Sequence, residues 1–279
     1  MHISRPEQAA LAGLLYADLV GLLASIGIHV SVETDFHALS DLTRDEADYT
    51  VWPIFDPERS DIGAECGFWL RFHSGGRTVG AQAVRLWQLD TLTLGDHMRR
   101  HLRLYCAPNH GLDLESAEFN GRGWDLSGRL AYHGQLWLAP DFKGKRVADF
   151  PVGRMVLPRL AHALLMMSYP DLSGVFGLCP DATTEKGIIA SYGFPNQGMP
   201  ALKLYNRDGS FAWYETLLTV DREELYLEFQ RMRDRLFKDK VVRHPAPEGT
   251  GTRPSVALVA RSSGDSPGEP HRVASRAAP

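Results

Sequence analysis

Three cations stand close together in the run Asp-Phe-Lys-Gly-Lys-Arg-Val-Ala: Lys143, Lys145 and Arg146, arranged around Gly144. Ahead of them, Tyr132 to Pro140 reads as a strand, because Leu136 and Leu138 alternate with Gln135 and Trp137 and a proline closes the run. Behind them, Val152, Met155, Val156, Leu160, Ala163, Leu164 and Met167 recur at helical spacing. Strand, basic glycine-containing loop and helix together make an anion site. Free amides and the positive end of the helix dipole face the same place as the lysines. Arg146 can add a charge-assisted contact to a phosphate oxygen. A solvated surface turn is the alternative use for such a loop.

The run from Leu136 to Ala148 resembles the acyl-CoA signature of the GNAT superfamily of N-acetyltransferases. There, a strand ends at a proline turn and is followed by Arg or Gln, two residues, Gly, one residue, and Gly or Ala. Lys143 stands at the Arg/Gln position and Ala148 at the last Gly/Ala position, while Arg146 replaces the middle glycine. Tyr192-Gly193-Phe194 is similar to the Gly-Phe that closes the helix after the family's fifth strand. The resemblance spans residues 29–220 in element order and implies an α/β fold. It predicts a GNAT-like mixed, mostly antiparallel twisted sheet of about seven strands flanked by helices.

It implies further that acetyl-CoA or another acyl-CoA is the co-substrate. Pantetheine would lie along Leu136, Leu138 and Ala139, with the thioester carbonyl on an amide near Leu138. Lys143, Gly144, Lys145, Arg146, Val147 and Ala148 would hold the pyrophosphate. The activity implied is acyl transfer to the amine of a small molecule. A catalytically silent CoA- or partner-binding domain, and an acyl-homoserine-lactone synthase-like enzyme, are the alternatives.

Acyl transfer needs a base for the amine, donors for the oxyanion and an acid for the leaving thiolate. The family's thiolate-protonating tyrosine falls at Ile189 in this chain, so Tyr192 and Tyr132 are the candidate acids. His133 and Glu65 are the candidate bases. Each has a structural alternative: packing for the tyrosines and the histidine, solvent exposure for the glutamate.

The remaining chain must position these groups. The 279 residues, 44% hydrophobic and 23% charged, suffice for a substantial core. A net charge of −4 disfavours a nucleic-acid binder. Cys66, Cys106 and Cys179 lie far apart without metal-ligand spacing, which predicts reduced thiols, no metal site and a cytoplasmic protein. Residues 1–28 read as an added buried helix started by a Ser4–Glu7 capping box, with Asp18 speaking against a membrane span. Residues 29–240 form the acyltransferase domain, with hairpins at 66–87 and 201–220 and a terminal helix from Asp221. Within it, residues 90–129 are an insertion expected to cover the acceptor side of the cleft. Pro180 to Ala190 reads as a helix, and 241–279 as a disordered, dispensable tail. Oligomeric state is not legible in the sequence.

Overall fold

The computed structural model describes residues 4–106, 114–180 and 189–241. In chain order the elements are α1 (Arg5–Ala24), β1 (His29–Glu33), α2 (Phe36–Asp45), β2 (Gly67–Ser74), β3 (Arg77–Gln88), α3 (Leu94–His101), β4 (Leu114–Phe119) and β5 (Arg129–Leu138). A two-residue hairpin follows, β6 (Arg146–Val147) and β7 (Phe150–Pro151). Then come α4 (Leu157–Ser168), β8 (Leu172–Pro180), β9 (Asn196–Asn206), β10 (Phe211–Asp221) and α5 (Arg222–Val241). The expected helix over 180–190 and the tail fall largely on residues outside those described. Ile189–Tyr192 is a 3₁₀ turn.

Local chemistry fixes the helix starts. Glu7 accepts from the Ser4 amide at 2.9 Å and from the Ser4 hydroxyl at 2.7 Å, the box that the sequence predicts. Before α5 the bonds are reciprocal: the Glu224 amide donates to the Asp221 carboxylate at 2.8 Å and the Asp221 amide to the Glu224 carboxylate at 2.9 Å. Helix α1 is long and apolar enough, by length and composition, to cross a membrane. Its buried residues Ala12, Leu15, Leu19 and Leu23 share one face, which lies against α4 and α5. Asp18 is bound to Arg233 of α5 at 3.0 Å, so the one charge of that apolar run serves helix docking.

Eight strands form one sheet in the order β1-β2-β3-β5-β8-β10-β9-β4. All neighbours are antiparallel except β5 and β8. This is the mixed, mostly antiparallel α/β sheet that the sequence predicts, with one strand more than expected. The extra strand is β4, which comes from the 90–129 insertion and pairs with β9 at the far edge.

The parallel pairing of β5 with β8 runs only from Arg129↔Leu172 to Tyr132↔Phe176. Beyond it β5 follows β3 as far as Leu138↔Gly80, while β8 follows β10 as far as Pro180↔Glu215. The two central strands therefore part in the middle of the sheet. A bulge in β5 helps to part them: Ala81 and Ala83 pair with Trp137 and Gly134, which leaves two residues opposite one, and Gln135 takes φ 55°.

Candidate functional site

Two cavities meet where the strands part. One, of about 420 Å³, lies between the diverging strands and has Tyr49, Trp52, Tyr132, Trp137 and Phe194 in its walls with Asp48 among them. The other, of about 500 Å³, is bordered by Lys143, Gly144, Lys145, Arg146, Gly153 and Arg154. Leu136 and Tyr192 belong to both. An apolar slot thus opens into a cationic bay across two shared side chains.

The bay is built by a chain reversal. After β5 the Ala139 amide donates to Val79 O at 2.9 Å, and Ala139 O accepts from Phe142 and Lys143 at 2.8 and 3.1 Å. Both backbone groups of Ala139 are thereby engaged in the turn. Gly144 has φ 83°, a conformation that costs glycine nothing. Val152 N then donates to Lys145 O at 2.9 Å, drawing the following helix start against the loop. That start is a π-type turn, Val152–Val156, whose cap bond runs from Leu157 N to Val152 O. The amides of Gly153 and Arg154 precede it and have no acceptor within the helix. Regular α-helix begins only at Leu157, with Pro158 in its first turn, where a missing N–H costs nothing.

Two members of the expected phosphate loop lie elsewhere. Val147 is buried, Ala148 (φ 45°) and Asp149 (φ 63°) form the tip of the β6–β7 hairpin, and neither Val147 nor Ala148 borders the bay. Arg154 takes their place. The signal for it was a cation on the first helical turn after the loop, three residues beyond Pro151. Lys143 borders the bay but also reaches Asp48 at 2.8 Å, and Lys145 Nζ lies 3.6 Å from the centre of the Phe142 ring.

The wall of the apolar slot is tied to the bulge. Gln135 accepts from Trp52 N at 2.8 Å and donates to Thr50 O at 2.7 Å, which holds residues 48–52 over the opening. The described part of the 90–129 insertion does not line the slot. Its Tyr105 is buried behind the slot, edge-on to Tyr132 with ring centres 4.9 Å apart. Asp48, Tyr49, Thr50 and Trp52 line the slot instead.

Tyr192 is positioned by Arg159. This buried guanidinium on α4 donates to Ser191 O at 2.7 Å and to Met155 O at 3.0 Å, and forms an ion pair with Glu228 of α5. One side chain therefore locks the 3₁₀ turn carrying Tyr192 to the helix start that borders the bay. Burial pushes the Tyr192 phenol up, and the nearby Arg154 pulls it down. At neutral pH it is a proton donor. Arg159→Met should destabilise the fold by about 3 kcal/mol, since it leaves Glu228 without its buried partner. Urea unfolding measures this, and a loss under about 1 kcal/mol would contradict the clamp.

His133 is a lining residue with its ring turned to α4. Its Nδ1 is 3.1 Å from His162 Nε2, and its Nε2 is 3.3 Å from Gln82 Oε1. Gln82 Nε2 donates to Leu157 O at 2.6 Å, so Gln82 Oε1 is an acceptor and His133 Nε2 carries a proton. His133 Nδ1 then accepts from His162 Nε2–H. The lone pair a general base needs is engaged inside the core, and burial pushes His133 down to about 4. His162 is pushed well below its ordinary value by burial and by His133, and burial pushes His97 down to about 4.

These histidines fold neutral, and the unfolded chain protonates them first. Stability is fully present above pH 6.5 and falls as the pH drops from 6.5 towards 4, by on the order of 3 kcal/mol for each of His97 and His133. Urea titrations at pH 7.5, 6 and 5 check this, and a flat profile would contradict it.

Tyr132 borders the slot, but its ring is buried against Phe55, Tyr105 and Phe176. Burial and Glu215 push its phenol far up. Glu65 is exposed in the loop before β2 and lines neither cavity. The residues that sequence reasoning missed are Arg154, which is local to the bay, and Asp48, Trp52 and Phe194, which long-range folding carries to the slot.

No family model matches the chain, and no curated protein matches it. Solved structures similar to it include Arabidopsis thaliana NAA60 in complex with acetyl-CoA, at 9% identity and TM-score 0.41, covering 70% of this chain and 99% of that one. Another is FeeM, an N-acyl amino acid synthase from uncultured soil microbes, at 8% identity and TM-score 0.37, covering 71% and 92%. A third is the aminoglycoside acetyltransferase AAC(6')-Ib in complex with coenzyme A and kanamycin, at 15% and 0.37, covering 73% and 99%. The fold itself is read from strand order and register.

Proposed function

We propose that the chain is a divergent GNAT-type acyltransferase that moves an acyl group from acyl-CoA to the amine of a small molecule. The observation that carries this reading is the parting of β5 and β8 into an apolar slot joined to a cationic bay. A thioester with a diphosphate handle needs both: cations and free amides for the phosphates, and a slot for the acyl group. The unpaired edge of β5 beyond Tyr132 offers backbone groups to the pantetheine amides and, near Leu138, a donor for the thioester oxyanion.

The slot brings donor carbonyl and acceptor amine together, which replaces an encounter in solution. The amine attacks the thioester carbon, the tetrahedral oxyanion collapses, and the thiolate leaves. Tyr192, at the junction of slot and bay, supplies the thiolate's proton. His133, the histidine among the described residues lining the slot, has its lone pair engaged in the core, so water at the open mouth takes the amine's proton.

Release of free thiol from acetyl-, butyryl- and octanoyl-CoA tests this against a panel of small amines, with the acylated product read by mass. Amine-dependent thiol release is expected. CoA binding without turnover on any donor would favour the silent CoA-binding domain. Turnover confined to octanoyl-CoA would favour the synthase-like reading.

A further inference from the structure

An acceptor amine reaches neutral solution as an ammonium ion and needs a counter-charge to enter an aromatic slot. Among the described residues lining the slot, Asp48 is the one carboxylate. One of its oxygens accepts from Trp137 Nε1 at 3.0 Å. The other meets Lys143 Nζ at 2.8 Å, and Lys143 borders the bay rather than the slot. A single ion pair, between residues far apart in sequence, therefore bridges the two cavities. The hydrogen bond to Lys143, then that to Trp137, holds the Asp48 carboxyl below the usual carboxylate range.

The two side chains are 36% and 58% exposed, so the pair is weak and exchangeable. A lysine on a flexible stem can turn from a carboxylate to a diphosphate with little cost. Resting on the acyl-CoA reading, we propose that Asp48 is the acceptor-ammonium site and that Lys143 caps it until the phosphates of the acyl donor draw the lysine away. Donor binding thereby uncovers the acceptor site. Tyr49, Trp52 and Trp137 line the same slot, which suits an ammonium on an apolar or aromatic body.

Calorimetric titration of CoA and of pantetheine tests the exchange. Asp48→Asn keeps an acceptor for Trp137 and frees Lys143. CoA should bind that variant about two- to fivefold more tightly than wild type. The gain should vanish in a Lys143→Met background, and pantetheine, which lacks the diphosphate, should show none. Unchanged or weaker CoA binding by Asp48→Asn, with wild type binding normally, overturns the exchange. Failure of wild type to bind CoA at all overturns the acyl-CoA reading with it, and so is told apart.

The acceptor half uses benzylammonium as the probe, followed by saturation-transfer NMR. Transfer should be stronger with CoA bound than without it, and lost in Asp48→Asn. Equal transfer in all three samples, or none in any, overturns that half.

Discussion

Arg146→Glu combined with Arg154→Glu is expected to weaken CoA binding at least about a hundredfold, with the melting temperature nearly unchanged. Both side chains are exposed at the rim of the bay, so their replacement removes no core contact. Each lost charge-assisted contact to a phosphate costs roughly 1.5–3 kcal/mol, and the reversed charge repels the diphosphate as well. The loss should shrink as salt is raised, because the surviving attraction in wild type is screened. Lys143→Glu is a poorer test of the bay. Its lysine answers to Asp48 too, so that variant sets two carboxylates against each other. Equal CoA affinity in the wild type and the double variant would mean that the basic loop is a solvated turn.

Tyr192→Phe is expected to lower kcat on acetyl-CoA by about a hundredfold or more, the usual worth of a positioned general acid, while CoA affinity changes little. The effect should be small for a thioester whose thiol is acidic, since such a thiolate leaves without a proton. Tyr132→Phe should leave kcat near wild type, because that ring serves as packing between Phe55, Tyr105 and Phe176. Reversal of this order, with Tyr132 essential and Tyr192 dispensable, would move the acid to the other wall of the slot.

Periodicity and caps carried most of the fold. The Ser4–Glu7 and Asp221–Glu224 boxes stand where the sequence places them, and the strand-loop-helix run across 132–168 holds. Ser74↔Arg77 closes the predicted hairpin, with Gly75 and Gly76 at φ 57° and 80°. Strand β4 was hidden because an edge strand made within an insertion carries a weak local pattern, and its partner β9 lies about ninety residues on. The late start of α4 follows from Pro151 and Pro158, which leave room only for a wider turn between them.

The site was legible where it is local and obscure where it is assembled. Lys143, Gly144, Lys145 and Arg146 share one loop and border the bay together. The family resemblance carried Val147 and Ala148 into the same set, but the β6–β7 hairpin turns them away. His133 looked reactive on a strand beside the opening, yet its partners Gln82 and His162 come from elsewhere in the chain. Asp48 belongs to an unremarkable polar stretch. Bonds from residues distant in sequence, Gln135 to residues 50 and 52 and Trp137 and Lys143 to Asp48 itself, bring it to the slot.

The central claim is that the slot and bay together receive an acyl-CoA. Calorimetric titration of the wild-type protein with CoA, set beside pantetheine and at low and high salt, tests it most directly. Saturable binding of one CoA per chain is predicted, tighter than pantetheine and weakened by salt. No binding, or equal binding of CoA and pantetheine at both salt concentrations, would contradict it.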